Sequence, residues 1–206
     1  MENASQFEVH TKRGFLPALD PLERLPNAFD EWEELASNTT SLLESNEFQK
    51  EARSLSKVQL DSLQNRPQIE RAMLLLSIFG AAYVWSAEEP TITLPCSLAV
   101  PWCHVAATLG RPPILSYASI NLNNWRRKNR SESLELENLE ALQLIGGTED
   151  EQWFYLIPVA MEARGATALQ AILSARRSVE NNDPVKLVED LQTVEQTVSD
   201  MTRVLL

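Results

Sequence analysis

The stretch PQIERAMLLLSIFGAAYV, residues 67–84, decides the fold of this chain. Its apolar residues do not follow one face of a helix but surround the whole helix. They are Ile69, Ala72, Met73, Leu75, Leu76, Ile78, Phe79, Ala81 and Ala82. Because a helix that is apolar on every side has to be buried, we predict that Pro67–Val84 is the central helix of the domain.

Amphipathic helices are predicted before this central helix. An irregular but ordered lead-in runs to about Pro26. Ala28–Leu43 then places Phe29, Trp32 and Leu35 on one face, which predicts a single surface helix. Phe48–Leu63 is predicted to form one or two shorter helices of the same kind.

Two further helices are predicted after the central helix. Ser97–Leu109 contains Pro101 in its first turns and ends at Gly110, a residue that commonly terminates helices. Pro112-Pro113 opens the next helix, which is predicted to run to about Trp125. The basic run at its end is expected to be solvated and to face the negative pole of the helix dipole; it comprises Arg126, Arg127, Lys128 and Arg130.

The last third of the chain predicts two long helices. Leu134–Ile145 fits neither the helical nor the strand period, so a short helix and a hairpin both stay open. A long helix follows over about Trp153–Val179, with Pro158 near its start. After Asn181–Pro184, the final helix carries an apolar stripe at spacings of four and three, formed by Leu187, Leu191, Val194, Val198, Met201 and Leu205.

These elements predict an all-α fold with room for one short hairpin. Residues 1–130 would form a small helical domain with its lead-in. Residues 131–206 would form a connecting segment and two long helices, and the whole chain is expected to make one compact unit. With 206 residues, 44% of them apolar, it can bury an ample core.

The charge balance argues against two classes of partner. The net charge of −11 repels the phosphates of nucleic acids and the headgroups of anionic lipids. The N-terminal residues lack the apolar segment of a signal peptide, and the longest uncharged apolar stretch, Ala72–Trp85, is shorter than the ~20 residues a bilayer span needs. We expect a cytoplasmic protein that binds neither nucleic acid nor membrane.

The scarcity of histidine and cysteine limits metal and nucleophile chemistry. The chain has two cysteines, Cys96 and Cys103, whose spacing of seven is not that of metal ligands. Its two histidines are His10 and His104. We therefore predict no metal site within this chain.

Several motifs, in the same order along the chain, resemble the N-terminal half of indoleamine 2,3-dioxygenase, the haem enzyme that inserts dioxygen into the indole ring of tryptophan. The similarity covers about residues 13–180, and its most specific string is Pro-Pro-Ile-Leu-x-Tyr-Ala-x(5)-Asn-Trp. The motifs are Arg13-Gly14-Phe15-Leu16-Pro17, Leu25-Pro26-Asn27-Ala28-Phe29 with Trp32, Ala82-Tyr83-Val84-Trp85, Leu94-Pro95, Ala99-Val100-Pro101-Trp102, Pro112–Ala118, Asn124-Trp125 and Trp153–Ile157 leading to Glu162.

The resemblance implies the residues of an indole pocket. Tyr117, Ile120 and Phe154 occupy positions that line the pocket in the family, although aromatic residues at helical spacing are ordinarily core. Pro158 stands where the family often has a serine, which removes a hydroxyl from the pocket. The substrate-binding residues are therefore predicted to be Tyr117, Ile120, Phe154 and Pro158.

The resemblance also implies a departure from haem chemistry. The histidine that binds haem iron in the family, and the arginine that binds the tryptophan carboxylate, would both lie beyond Leu206. Haem iron needs an axial ligand, so we expect no cofactor for the isolated chain, and haem only if a partner supplies that ligand.

Three functions remain open. The first is a truncated, haem-independent relative that binds a tryptophan- or tryptamine-derived indole and catalyses non-oxidative acid/base chemistry, such as a Pictet–Spengler-type condensation. The candidate acid/base residues are Glu162, Tyr117 and His104, although Glu162 could instead pair with Arg164 or with another neighbour on its helix. The second is a haem-dependent dioxygenase completed by a partner chain. The third is a non-catalytic indole-binding pseudoenzyme.

The terminal stripe predicts self-association. One side of it could cover the preceding helix through Ala163, Ala166, Leu169, Ile172 and Leu173. The remaining apolar surface needs a partner. We therefore expect a homodimer formed by the C-terminal helices.

Overall fold

The computed structural model describes residues 9–56, 58–86 and 90–205. Within these ranges the chain forms seven α-helices and one two-stranded antiparallel sheet. The helices are α1 (Asp30–Ser37), α2 (Thr39–Glu44), α3 (Phe48–Ser54), α4 (Arg66–Trp85), α5 (Cys96–Leu109), α6 (Glu149–Glu180) and α7 (Pro184–Val204). The strands are β1 (Trp125–Arg127) and β2 (Leu139–Ala141). The predicted all-α fold with one short hairpin is confirmed.

The chain divides into two compact units. The core unit contains residues 21–126 and 140–155. The paired-helix unit contains three separate segments, which within the described chain are residues 9–20, 127–139 and 156–205.

Helix α4 lies at the centre of the core unit. The side chain of Asn65 caps it by accepting a hydrogen bond from the Gln68 N–H, and Pro67 follows in the first turn. Every residue from Glu70 to Gly80 is buried. Helices α1, α3 and α5 all pack against it. The prediction of a central helix over this stretch is confirmed.

Helix α5 crosses α4 at a glycine. A Cβ atom added at Gly80 would lie only 2.2 Å from the ring of Trp102. The Trp102 ring can therefore pack at this position only because Gly80 has no side chain. As predicted, α5 contains Pro101 and ends at Gly110, which adopts the left-handed conformation with φ of 65°.

The predicted single helix over Ala28–Leu43 is divided in the structure. A 3-10 turn at Asn27–Phe29 precedes α1, and α1 and α2 are separated at Asn38. The Asn38 backbone has φ of −101° and ψ of 4°, and its side-chain amide donates to the Glu34 carbonyl. Asparagine side chains compete in this way with the helical hydrogen bonds.

The predicted helix from Pro112-Pro113 to Trp125 is wrong. Only a five-residue π-helical turn forms, at Ala118–Leu122, and Trp125 begins strand β1. The side-chain amide of Asn123 donates to the Ala118 carbonyl over 2.9 Å. Asparagine again takes a backbone group that a continuing helix would use.

The segment Leu134–Ile145 takes the hairpin alternative. A 3-10 turn at Leu136–Asn138 leads into β2, which pairs with β1. Beyond the strands, Asn124 accepts from the Gln143 N–H over 2.8 Å and donates to the Gln143 carbonyl over 2.9 Å. The side chain of Asn124 thus extends the ladder of the hairpin.

The basic run belongs to this hairpin and not to a solvated helix end. In the core unit, Arg126 binds Glu140 over 2.7 Å and Glu23 over 3.2 Å. In the paired-helix unit, Arg127 binds Asp20 over 2.8 Å. The expectation of a solvated end is wrong for Arg126 and Arg127, which pair with acidic residues distant in sequence, whereas Lys128 and Arg130 are exposed.

Helices α6 and α7 run antiparallel in the paired-helix unit. Gly165 lies against Met201, and the hydroxyl of Ser178 lies 3.3 Å from the carboxylate of Asp190. The side chain of Asp183 caps α7 by accepting from the Lys186 N–H, as the Asn181–Pro184 turn predicts. None of the helices in the described ranges is both long and apolar enough to cross a membrane.

The apolar stripe of α7 is split between two sides of the helix. Asp190 and Thr197 are buried, whereas Leu191, Val198 and Leu205 are each more than half exposed. The predicted contact face of α6 also differs, since Ile172 is more than half exposed. The buried face of α6 includes Ala168, Ala171, Ala175 and Ser178. Small residues there let the two helices approach closely.

Candidate functional site

The π-helical turn presents the first two predicted pocket residues. Tyr117, which precedes the turn, is 48% exposed, and Ile120 within it is partly buried. Ser119 and Asn121, between and beside them, are buried. The small and polar residues of this segment are therefore buried, and the larger Tyr117 and Ile120 lie closer to the surface. Single π turns are frequent at functional sites.

The start of helix α6 is held by one carboxylate. Glu151 accepts hydrogen bonds from the backbone N–H groups of Ile145, Gly146 and Gly147, over 2.7, 2.9 and 3.1 Å. Thr148 accepts from the Glu151 N–H, as in a capping box. The first turn of α6 is thus fixed to the loop that precedes it.

Tyr155 connects this carboxylate to the interior. Its hydroxyl donates to Glu151 over 2.8 Å, and its side chain is buried. Burial, together with the neighbouring Glu151 carboxylate, raises the pKa of the Tyr155 phenol above its usual value. The phenol consequently remains a donor at physiological pH.

A hydrogen bond joins the two segments that carry the predicted pocket residues. The side-chain amide of Asn121 donates to the backbone carbonyl of Tyr155 over 3.1 Å. Phe154, next to Tyr155, is 68% exposed, and its ring meets the Tyr155 ring edge-on at 6.0 Å. The structure thereby brings the segment of Tyr117 and Ile120 alongside Phe154. We call Tyr117, Ile120 and Phe154 the aromatic site.

The other predicted residues are not part of the aromatic site, although Pro158 follows Phe154 by one turn of α6. Pro158 and Glu162 are on the part of α6 that belongs to the paired-helix unit, and both are partly exposed. His104 is exposed near the end of α5. The three candidate acid/base residues thus come from three separate elements, and only Tyr117 belongs to the aromatic site.

The backbone at Glu162 is closely packed. Gly14, with φ of 62°, lies so near that an added Cβ would be 2.8 Å from the Glu162 carbonyl oxygen. Both the left-handed conformation and the short distance require glycine. The N-terminal loop therefore fixes the turn of α6 that carries Glu162.

Three surface cavities lie outside the aromatic site. The largest, about 720 Å³, is lined by polar residues of α6 and α7 such as Arg164 and Gln196. Cavities of about 560 and 530 Å³ are lined by residues around Glu34 and around Glu132. None of the predicted site residues lines these three cavities. Tyr117 and Phe154 of the aromatic site are exposed.

Sequence reasoning did not find the residues that organise the aromatic site. The signal for Glu151 was present, because Thr148 and Glu151 have the spacing of a capping box. No pattern in the sequence indicates that Asn121 binds the Tyr155 carbonyl, since that bond depends on the unpredicted π turn.

Comparison with known proteins shows the family to which this chain belongs. The sequence model of the family described as indoleamine 2,3-dioxygenase matches residues 3–206. The chain belongs to the indoleamine 2,3-dioxygenase family. The resemblance inferred from the sequence motifs is therefore confirmed.

Three relatives show the extent of the similarity. Indoleamine 2,3-dioxygenase 1 of Rattus norvegicus is 32% identical over 176 residues, which are 84% of this chain and 43% of the relative. Its Mus musculus counterpart is 31% identical over 183 residues, 88% and 43% of the two chains. Indoleamine 2,3-dioxygenase qulI of Penicillium citrinum is 32% identical over 182 residues, 87% and 41%. The chain spans less than half the length of these relatives.

Membership in the indoleamine 2,3-dioxygenase family raises the question of haem. The Nδ1 atom of His10 accepts from the Lys12 N–H over 3.2 Å, and His104 is exposed on a helix surface. Neither histidine lines one of the three cavities, and across the described residues no three His, Cys, Asp or Glu side chains form a metal-binding group. These residues do not fit a haem group.

Proposed function

We propose that this member of the indoleamine 2,3-dioxygenase family binds a tryptophan- or tryptamine-derived indole without haem and catalyses non-oxidative acid/base chemistry on it. The observation that supports the proposal is the hydrogen bond from Asn121 to the Tyr155 carbonyl. It holds two segments together while the rings of Tyr117 and Phe154 stay accessible. Aromatic rings bind an indole by stacked or edge-on contacts.

The chemistry that we propose is a Pictet–Spengler-type condensation of an indole amine with an aldehyde. The amine nitrogen adds to the carbonyl carbon, and loss of water gives an iminium ion. Carbon C2 of the indole then attacks the iminium carbon and forms the new C–C bond. A base takes the proton from C2 and restores the aromatic ring. Acid/base groups are sufficient for these proton transfers.

The candidate acid/base groups are Tyr117, Glu162 and His104. We rank Tyr117 first because it belongs to the aromatic site. Tyr117→Phe, Glu162→Gln and His104→Gln separate the three by the rate of product formation from tryptamine and an aldehyde, measured by mass spectrometry. The residue that moves the proton is the one whose replacement slows product formation while tryptamine affinity stays unchanged.

Binding is tested by calorimetry with tryptamine. Phe154→Ala removes ring contacts and is expected to cost about 1–3 kcal/mol, or roughly 5- to 150-fold in Kd. The matched control is Trp85→Ala, which truncates another exposed aromatic residue of the core unit. Equal affinities for wild type and Phe154→Ala would contradict the proposed site. Binding without product would leave an indole-binding pseudoenzyme as the function.

A haem-dependent dioxygenase completed by a partner chain is the second candidate, and family membership favours it. The experiment is reconstitution with haemin, desalting and absorption spectroscopy. We expect no stoichiometric Soret band from this chain alone. A stable 1:1 haem complex would contradict the haem-free proposal.

We also propose that the chain forms a homodimer. Exposed aliphatic side chains form stripes on both long helices: Ile172, Val179, Val188, Leu191, Val198 and Leu205. On α7, Leu191 and Val198 directly follow the buried residues Asp190 and Thr197. On α6, Ile172 and Val179 directly follow the buried residues Ala171 and Ser178. In antiparallel right-handed helices, such positions lie on the same side of the pair. One apolar surface on both helices suits a two-fold contact with a second copy.

A further inference from the structure

Pro158 changes the hydrogen bonding of helix α6. In an α-helix, the N–H of residue 158 would donate to the carbonyl of residue 154, four positions earlier. Proline has no N–H, and its ring is crowded against that carbonyl. The carbonyl oxygen of Phe154 therefore lacks its usual helical donor, although α6 continues from Glu149 to Glu180.

The next carbonyl shows that this turn accepts donors from outside the helix. The side-chain amide of Asn121 donates to the Tyr155 carbonyl over 3.1 Å. Asn121 is buried, so this donor comes from the interior. Phe154, in contrast, is 68% exposed. The Tyr155 carbonyl thus accepts a donor from outside the helix. The preceding carbonyl, that of Phe154, has lost its helical donor and belongs to a residue at the surface.

We propose that the Phe154 carbonyl oxygen accepts a hydrogen bond from the ammonium group of an indole amine. This inference rests on the proposed function and names the feature that would select its substrate. The Phe154 ring would contact the indole while the carbonyl of the same residue binds the amine at the end of the side chain. Hydrogen bonds that involve an ionised partner are stronger than neutral ones. A carbonyl oxygen repels a carboxylate, so indole acids would be disfavoured.

The net charge of the chain is consistent with this selectivity. At −11, the chain attracts a cationic ligand and repels an anionic one over distances of about a Debye length, ~8 Å at physiological salt. This long-range effect favours association of amines. The carbonyl at Phe154 would add a local, directional contact.

The first test is Pro158→Ala. Alanine supplies an N–H that can occupy the Phe154 carbonyl, and it is the residue that helices favour most. The variant should therefore melt at a higher temperature than the wild type while its Kd for tryptamine rises roughly tenfold, as for the loss of one hydrogen bond to a charged group. Because the variant gains stability, weaker binding cannot be attributed to unfolding.

The matched ligand is 3-methylindole, which has the ring but no amine. Its affinity should be the same for wild type and Pro158→Ala. Equal losses for tryptamine and 3-methylindole would contradict the inference, because they would report a lost contact with the proline ring. Unchanged tryptamine affinity would also contradict it. If the wild type binds neither compound, the proposed function itself fails.

A second measurement observes the carbonyl directly. Phe154-Tyr155 is the only Phe-Tyr step in the sequence. Labelling with carbonyl-13C phenylalanine and 15N tyrosine therefore gives a single correlation from this peptide bond. Tryptamine should move its carbonyl shift downfield, and 3-methylindole should not. A shift of the same size with both ligands would show that the amine does not bind this oxygen.

Discussion

The carboxylate of Glu33 and the guanidinium of Arg71 form a bidentate ion pair inside the core unit. The Arg71 Nη2 and Nε atoms lie 2.7 and 3.1 Å from the two Glu33 oxygens. The side chains are only 4% and 5% exposed, with that of Arg71 the less exposed. Glu33 also accepts from the Leu25 N–H over 2.8 Å. This pair joins α1 to the central helix α4.

Removing one partner of this pair should be strongly destabilising. Glu33→Ala leaves the Arg71 charge buried without its counter-ion, and we expect a loss of about 3–5 kcal/mol in the free energy of unfolding. The control is Asp200→Ala, which breaks an exposed pair with Arg203 and should cost at most ~1 kcal/mol in that contact. Urea denaturation measures both. Equal costs for the two variants would contradict the structural account of the buried pair.

Gly80→Ala tests the crossing of α4 and α5. The added Cβ would meet the Trp102 ring at 2.2 Å, so the helices have to separate. Overpacking of this kind costs about 1–3 kcal/mol. Gly165→Ala is the matched helical control, because its Cβ would meet only the flexible end of Met201, at 3.3 Å. We expect a lower melting temperature for Gly80→Ala alone. A similar decrease in both variants would mean that the crossing is looser than described.

Asp20 should contribute to stability against acid. Burial tends to raise its pKa, but hydrogen bonds from Arg127 and Arg13 outweigh burial and hold the pKa below the usual value of 3.8. The unfolded chain therefore binds a proton at higher pH than the folded one. The stabilisation is fully present above about pH 4 and is lost as the pH falls through the lowered pKa.

The measurement is the urea midpoint of wild type and Asp20→Asn between pH 6 and pH 2.5. Wild type should be the more stable protein at pH 6, and its advantage should shrink below pH 4. The exposed Asp61 provides a control, because Asp61→Asn should follow wild type throughout. An advantage that is constant over this range would contradict the role of the Arg13 and Arg127 contacts.

The proposed homodimer is tested by a charged pair on the apolar side. Leu191→Glu with Val198→Glu places two carboxylates on the exposed stripe of α7, and sedimentation should then show a monomer. Gln196→Glu with Arg203→Glu adds at least as much negative charge on the opposite side of α7 and should leave the dimer intact. A wild-type protein that stays monomeric at high micromolar concentration would refute the proposal.

The sequence predicts the elements whose signals are local. Each of these signals depends on residues within a few positions of each other. They are the apolar residues on every side of α4, the glycine that ends α5 and the aspartate that caps α7. The π turn at Ala118–Leu122 was not predictable in this way, because Asn121 within it and Asn124 just after it bind Tyr155 and Gln143, which are distant in sequence. Long-range side-chain bonds leave no period in the sequence.

The aromatic site shows the same division. The family resemblance indicated Tyr117, Ile120 and Phe154, and the structure places their segments side by side. The α7 stripe likewise could not indicate that Leu191 and Val198 would face outward while Val194 lies partly buried, since all three fit its alternating spacings of three and four. Which side of a stripe is covered depends on the neighbouring helix.

The contact of Gly14 with the backbone of Glu162 has a consequence for synthesis of the chain. Domains form from the N-terminus onward as the ribosome releases them. The core unit can assemble once residue 155 has emerged, but the loop around Gly14 reaches its place only after α6 is complete. The loop around Gly14 therefore folds late, because the growing chain has to carry it without these contacts until Glu162 has emerged.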